Sequence, residues 1–249
     1  MKKSAIAKGL LALLLVFALS GCGTVKGWTF GKKKPEDKPP DVLAQEGLKD
    51  LKKKNYIDAV ETFEKVRDRY PYSDQALLAQ IKIADAYFYN KKYDEAVQAY
   101  REFEKLHPTN KGVSYCVFRE GQCYYRQRST IDRDQTATRR AIAEFMRLKQ
   151  KFPQSEYIAR ADKYLARCRQ DLAEHEFYVA EFYYNTKRYQ AALDRYLGLI
   201  QDYPNFPKNA EAKERIERGE SSVEGGESYR AVWYQDPVWW DLQFYDWVG

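Results

Sequence analysis

Four cysteines and two histidines are the side chains of this 249-residue chain most suited to covalent, metal or acid–base chemistry. Cys116 and Cys123 stand seven residues apart in a helical pattern, which places them about 10 Å apart along a helix axis, too far for an undistorted disulfide. Cys168 and His175 repeat that spacing. A metal site built from Cys116, Cys123, Cys168 and His175 would lack the spacing of a metal-ligand set, so the three cysteines read as small buried hydrophobes. His107 precedes Pro108 at a helix end and is expected to cap carbonyls there. His175 lies inside a helical stretch and is expected to hydrogen-bond between repeats. Asp132 and Asp134 flank Arg133 in a loop, where helix capping or an ion pair accounts for them. Neither a nucleophile elbow nor a glycine-rich phosphate loop occurs. The reading is therefore a protein without catalytic residues, cofactor or metal.

The fourth cysteine has a different setting. Lys2, Lys3 and Lys8 precede an apolar run from Leu10 to Leu19. At about ten residues that run is half of what a membrane span needs, but it suits a secretory signal. It closes on Leu19-Ser20-Gly21-Cys22, which resembles the lipobox of bacterial lipoproteins. That resemblance implies cleavage between Gly21 and Cys22, diacylation of the Cys22 thiol and acylation of the freed amine. The alternative is an ordinary signal peptide with an incidental cysteine. Several acyl chains on one residue hold a protein stably at a membrane where one chain would not. Gly23, in place of the aspartate that retains enterobacterial lipoproteins at the inner membrane, favours an anchor in the outer membrane with the protein on the periplasmic face.

Composition then divides the chain. Residues 1–21 form the signal peptide. Residues 22–40, rich in Gly, Lys and Pro, form a lipidated tether that cannot build a core. Within it Lys32, Lys33 and Lys34 are either a solvated run or a contact to anionic head groups. Without the three signal lysines, 39 basic residues face 36 acidic ones, a balance that gives no argument for nucleic acid. The charge is uneven, however: residues 219–249 hold six acids and one base.

Residues 41–218 repeat themselves. Tyr56, Tyr93, Thr138 and Tyr189 are each followed after three residues by alanine (Ala59, Ala96, Ala141, Ala192). After seven residues each is followed by an aromatic (Phe63, Tyr100, Phe145, Tyr196), and after fifteen by proline (Pro71, Pro108, Pro153, Pro204). The alanine and aromatic share one helical face with the anchor, and the proline stops the helix. Another helical stretch precedes each copy, most clearly Gln75 to Asn90. The unit is thus helix, turn, helix. The first offset, 37 residues, is close to that of tetratricopeptide repeats. Later offsets imply insertions at Ser129–Thr136 and within Ser155–Asn185. The fold expected is an all-α, tetratricopeptide-like solenoid of four full repeats and a partial fifth, stabilised by stacking of neighbouring units. Most tyrosines, such as Tyr87, Tyr89, Tyr124 and Tyr125, are expected between helices, with a few left to line a peptide groove.

Residues 219–249 form an acidic tail with eight aromatics from Tyr229 to Trp247. It has no helical or strand period. It reads as a cover for the solenoid end, as a segment that docks on a partner or on the protein itself, or as an unusual or frame-altered C-terminus.

The lipoprotein start, the repeats, the Ser129–Gln135 insertion with its Asp-Arg-Asp, and the Leu172–Tyr184 helix with its Leu-Ala-x-His-Glu resemble the BamD family, outer-membrane lipoproteins of the β-barrel assembly machine, over roughly residues 19–210. The resemblance implies five tetratricopeptide-type repeats in a curved scaffold. It implies N-terminal repeats that recognise unfolded outer-membrane proteins by their C-terminal signal. It implies C-terminal repeats that dock the barrel-proximal POTRA domain of a BamA-like barrel protein, beside other accessory lipoproteins. An arginine important for that docking is matched by Arg195, which could equally be a surface arginine in an i,i+4 pair. After Pro204 the sequence departs from the family, because a glycine-rich linker stands where the last helix should be. The tail, aromatic like an outer-membrane-protein signal, is a candidate to occupy the substrate groove of its own or a neighbouring molecule. Secretin pilots and coordinators of cell-wall synthesis share the repeat logic but should lack the two motifs.

Overall fold

The computed structural model describes residues 38–220, and the lipobox, most of the tether and nearly all of the tail lie outside them. Among the described residues there are nine α-helices and no strand. They form four antiparallel pairs and a ninth helix: α1 (Pro40–Lys52) with α2 (Tyr56–Arg69), α3 (Asp74–Tyr89) with α4 (Tyr93–Leu106), α5 (Val113–Arg126) with α6 (Thr136–Lys151), α7 (Ile158–Asn185) with α8 (Tyr189–Asp202), then α9 (Asn209–Glu220). Each helix packs on the next, and α1 on α3, α5 on α7 and α7 on α9 add contacts across repeats. None of these helices is long and apolar enough to cross a membrane.

The repeated pattern positions these pairs. Ala59, Ala96, Ala141 and Ala192 are fully buried, as are Phe63, Tyr100, Phe145 and Tyr196. Burying one such aromatic stabilises the fold by about 1.5–3 kcal/mol. Each second helix ends on the residue before the proline: Tyr70, His107, Phe152 and Tyr203 leave the helix at φ near −130°. Three of the four intra-pair turns are alike. Lys54, Lys91 and Lys187 adopt φ of 65°, 62° and 60°, two residues before the next anchor tyrosine. In each, two backbone N–H groups return to the last turn, as Lys91 N–H to Phe88 O and Lys92 N–H to Tyr87 O do. This left-handed cap satisfies carbonyls that the helix end would orphan.

The aromatic at the centre of each repeat faces a small residue of its partner helix. Repeats one and three use Gly47 against Phe63 and Gly121 against Phe145, where an added Cβ would come within 2.8 and 2.6 Å of the ring. Repeats two and four have Ala84 and Ala180 at the equivalent place, opposite Tyr100 and Tyr196.

The ninth helix continues past Arg218. Gly219 is helical and buried, and a Cβ there would meet Leu193 at 3.1 Å. The solenoid thus takes in Gly219, the first residue of the segment read above as the tail, and α9 packs there against Leu193 of α8.

Candidate functional site

The long helix α7 organises the C-terminal half. Its first turns place Ala161, Leu165 and Cys168 in the core built by α3 to α6. Its later turns place Ala173, Phe177 and Ala180 in a separate core with α8 and α9. Where one core gives way to the other a cleft of about 690 Å³ opens. Ala166, Arg169, Gln170 and Ala173 form one wall, and the α8–α9 loop from Asp202 to Pro207 forms the other. Asn209 donates through Nδ2 to Tyr203 O and Pro204 O, which fixes that loop.

Arg195 lies on α8 near this region, and its guanidinium donates to Glu176 on α7 at 2.8 Å. Its partner is across the helix pair, not one turn along its own helix. The side chain stays 48% exposed, so it is held but open to a partner. The charge of Glu176 also bears on the cleft wall. Burial and then Glu176 raise Asp202 above the usual carboxylate value, and burial, Asp202 and Glu176 push the Tyr203 hydroxyl up.

The two motif stretches meet each other. Buried Gln135 donates from Nε2 to Thr130 O and Arg133 O, and its Oε1 accepts from Thr138 Oγ1. Asp134, one residue before the N-cap Gln135, accepts from the backbone N–H and hydroxyl of Thr136, the first residue of α6, while the Gln135 side chain makes no capping bond. His175 Nδ1 lies 2.6 Å from Ile131 O, tying α7 to the insertion. The histidine thus bonds between repeats. His107 is the C-cap of α4, where its backbone N–H donates to Phe103 O, while its ring turns toward α3 with Nε2 3.1 Å from Gln80 Oε1.

Cys116, Cys123 and Cys168 are free, buried and part of one apolar core. Burial pushes the Cys123 and Cys168 thiols up to about 12 and about 11, so they are unreactive at neutral pH. Among the described residues no three His, Cys, Asp or Glu side chains gather as metal ligands. Of the four tyrosines named above, Tyr124 is buried, Tyr87 and Tyr125 are half-buried and Tyr89 is exposed.

Polar locks between repeats are absent from the sequence reading. Tyr100 donates to Asp85 at 2.6 Å and accepts from Arg119 Nε at 3.1 Å. Tyr196 donates to Glu181, which also binds Arg215. In both cases the acid lies fifteen residues before the tyrosine and the arginine nineteen after it. That spacing is the signal that would have found them. Arg119 also stacks on the Phe88 ring at 3.7 Å. A second cluster joins α4, α5 and α6. Glu120, fully buried, accepts from Arg101 at 2.9 Å and Arg147 at 3.1 Å, and both arginines also bind Glu144. Burial, and then the neighbouring Glu144, raise Glu120 to about 7 despite the two arginines. These locks fix the spacing of repeats two and three and, separately, of repeats four and five.

Residues 36–221 match the family model YfiO, described as an outer membrane lipoprotein. The chain is 30% identical over 208 residues to the outer membrane protein assembly factor BamD of Neisseria gonorrhoeae, covering 80% of this chain and 78% of that one. It is 27% identical over 210 residues to the BamD of Caulobacter vibrioides, covering 82% and 67%. Among solved structures it is similar to the complex of the TPR2AB domain of yeast Sti1 with pHSP90, at 15% identity and a TM-score of 0.44 over 74% of this chain and 71% of that one.

Proposed function

This chain belongs to the YfiO family of outer membrane lipoproteins, and on that premise we propose that it is a non-enzymatic scaffold of outer-membrane β-barrel assembly, anchored by acylated Cys22 after cleavage at Gly21. The observation that carries this reading is the extent of the family match, which spans the whole described solenoid from α1 to α9. The scaffold docks a BamA-like barrel protein through its C-terminal repeats, with Arg195 in the contact, and its N-terminal repeats help to recognise unfolded outer-membrane proteins. No bond is made or broken. Helices locked by buried ion pairs offer a preformed surface, which lowers the entropy lost on binding. A lipid tether raises the effective concentration of scaffold and barrel protein at one membrane.

The test is a mild-detergent pull-down of the tagged, lipidated protein from its own outer membranes, with mass spectrometry. A POTRA-containing barrel protein should come with it. It should be lost with Arg195→Glu but retained with Glu176→Gln, which frees Arg195 from its 2.8 Å ion pair. Recovery of a secretin or of cell-wall synthases instead would overturn the assembly reading. Equal loss with both variants would assign Arg195 a structural part only.

A further inference from the structure

The polar locks divide the solenoid into two units. Tyr100 ties α3, α4 and α5 together, and Tyr196 ties α7, α8 and α9. At the centre of the third repeat stands Phe145, which has no hydroxyl for such a lock and instead stacks on Tyr164 of α7 with centroids 5.1 Å apart. The seam between repeats three and four is therefore carried by α7 itself. Cys168 is the last residue of α7 in the first core, and Ala173 is the first in the second. Beyond that point α8 and α9 pack on each other and on α7. They move as one body if α7 bends, and long helices curve gently rather than stay straight.

Opposite faces of α7 carry different contacts at this seam. On one face His175 Nδ1 lies 2.6 Å from Ile131 O in the insertion. On the other the cleft stands open. At about 100° per residue, His175 is about 160° from Ala173 and about 180° from Ala166 around the helix axis. Arg139 and Arg169 lie on the side of the first core, and Asp202 ends α8 on the far wall. All three are exposed, and among the described residues none of them makes an ion pair or hydrogen bond. Their charges and that of Glu176 meet at the Tyr203 hydroxyl. Glu176 is already taken by Arg195, and the charge of Arg139 also reaches Asp134. The open cleft thus sets two cations across from one unpaired carboxylate, with Ala166 and Ala173 facing Pro204 and Phe206.

We propose that the cleft is a hinge with two states: α7 bends between Cys168 and Ala173, Asp202 closes onto Arg139 and Arg169, and His175 parts from Ile131. The structure shows the open state, in which the His175 bond is made and the Asp202 pair is not. The two sets of contacts oppose each other, because bending α7 toward the cleft stretches its far face. Closure buries the apolar walls and lets one carboxylate bridge two cations. The locks keep each unit rigid, so the motion is confined to the seam. Arg195, on α8, travels with the second unit, so the state of the cleft sets where that side chain stands relative to repeats one to three. The hinge is independent of the assembly role and stands whether or not the chain binds a barrel protein.

Pulsed electron spin resonance on the full-length chain in detergent tests this. Spin labels go on Ala143→Cys in α6 and Gln201→Cys in α8, both exposed and outside the cleft lining. A Cys22→Ser background leaves only the three core cysteines, which are buried and do not label. The distances should fall into two populations, the shorter being the closed state. His175→Ala should raise the ratio of short to long roughly fivefold, as expected when the open state loses one hydrogen bond. Asp202→Lys should lower it by a similar factor. Adding Arg139→Glu and Arg169→Glu to Asp202→Lys should bring the short population back, a rescue that misfolding would not allow. A single long distance in the parent and in His175→Ala alike would overturn the proposal. So would a short population that ignores Asp202→Lys, or one that fails to return when the charges are exchanged.

Discussion

Replacing Gly121 by alanine sets two opposed effects against each other. In the helix interior, alanine is better than glycine by about 1 kcal/mol. But a Cβ at position 121 would lie 2.6, 2.8 and 2.9 Å from three atoms of the Phe145 ring. That ring is fully buried, lies parallel to Tyr164 with centroids 5.1 Å apart, and packs on Phe118. It cannot retreat without displacing both neighbours. With all three contacts under 3.0 Å and no room for the ring to move, the cost falls in the upper part of the usual overpacking range, about 2–3 kcal/mol. The net expectation is a loss of about 1–2 kcal/mol, or roughly 2–8 °C in Tm for a domain of this size. Gly198, in α8, has nothing within 4 Å of an added Cβ, so Gly198→Ala should raise stability by up to about 1 kcal/mol. The assay is thermal and urea unfolding of both variants, followed by helical circular dichroism. If Gly121→Ala were as stable as the parent, the close packing of α5 on Phe145 would not limit the fold and the reasoning would fail.

Stability should also depend on pH through Glu120. Its folded-state value of about 7 stands above that of a free carboxyl, so the native state binds this proton more readily than the unfolded chain. That contribution is complete below the free carboxyl value and is lost as pH rises through about 7. Tm measured from pH 5 to 8 should fall across this window, and Glu120→Gln should flatten the fall. At the turn between α3 and α4, Lys91 holds φ at 62°, a conformation that costs an L-residue roughly 1–2 kcal/mol. Lys91→Gly should therefore stabilise the protein by up to about 1 kcal/mol in urea titration, since part of the gain is returned as glycine's greater chain entropy.

The parts of this fold that follow from local periodicity were legible. Ala59, Phe63 and Pro71, with their three sets of counterparts, lie within one helix and its end, so sequence spacing alone gives their common face. The helix pairs, the insertion before α6 and the bond of His175 between repeats followed from the same logic. What escaped depends on three helices at once. Asp85, Tyr100 and Arg119 lie on α3, α4 and α5, so no single helical period links them. The pairing of Gly121 with Phe145 was hidden because the insertion shifts it from the register of Gly47 with Phe63. The cleft beside Arg169 arises where α7 passes from one core to another, a break that a continuous 28-residue helix does not announce. Arg195 was placed on the surface, but its bond to Glu176 crosses the helix pair and needed the fold to be seen.

The most direct measurement of the assembly role is depletion of this protein in its own organism, with the folded fraction of an outer-membrane β-barrel protein read from its heat-modifiable mobility on gels. The folded fraction should fall as the protein is depleted and recover with the parent chain, but not with Cys22→Ala, which removes the proposed acylation site, nor with Arg195→Glu. An unchanged folded fraction after depletion would contradict the proposed role.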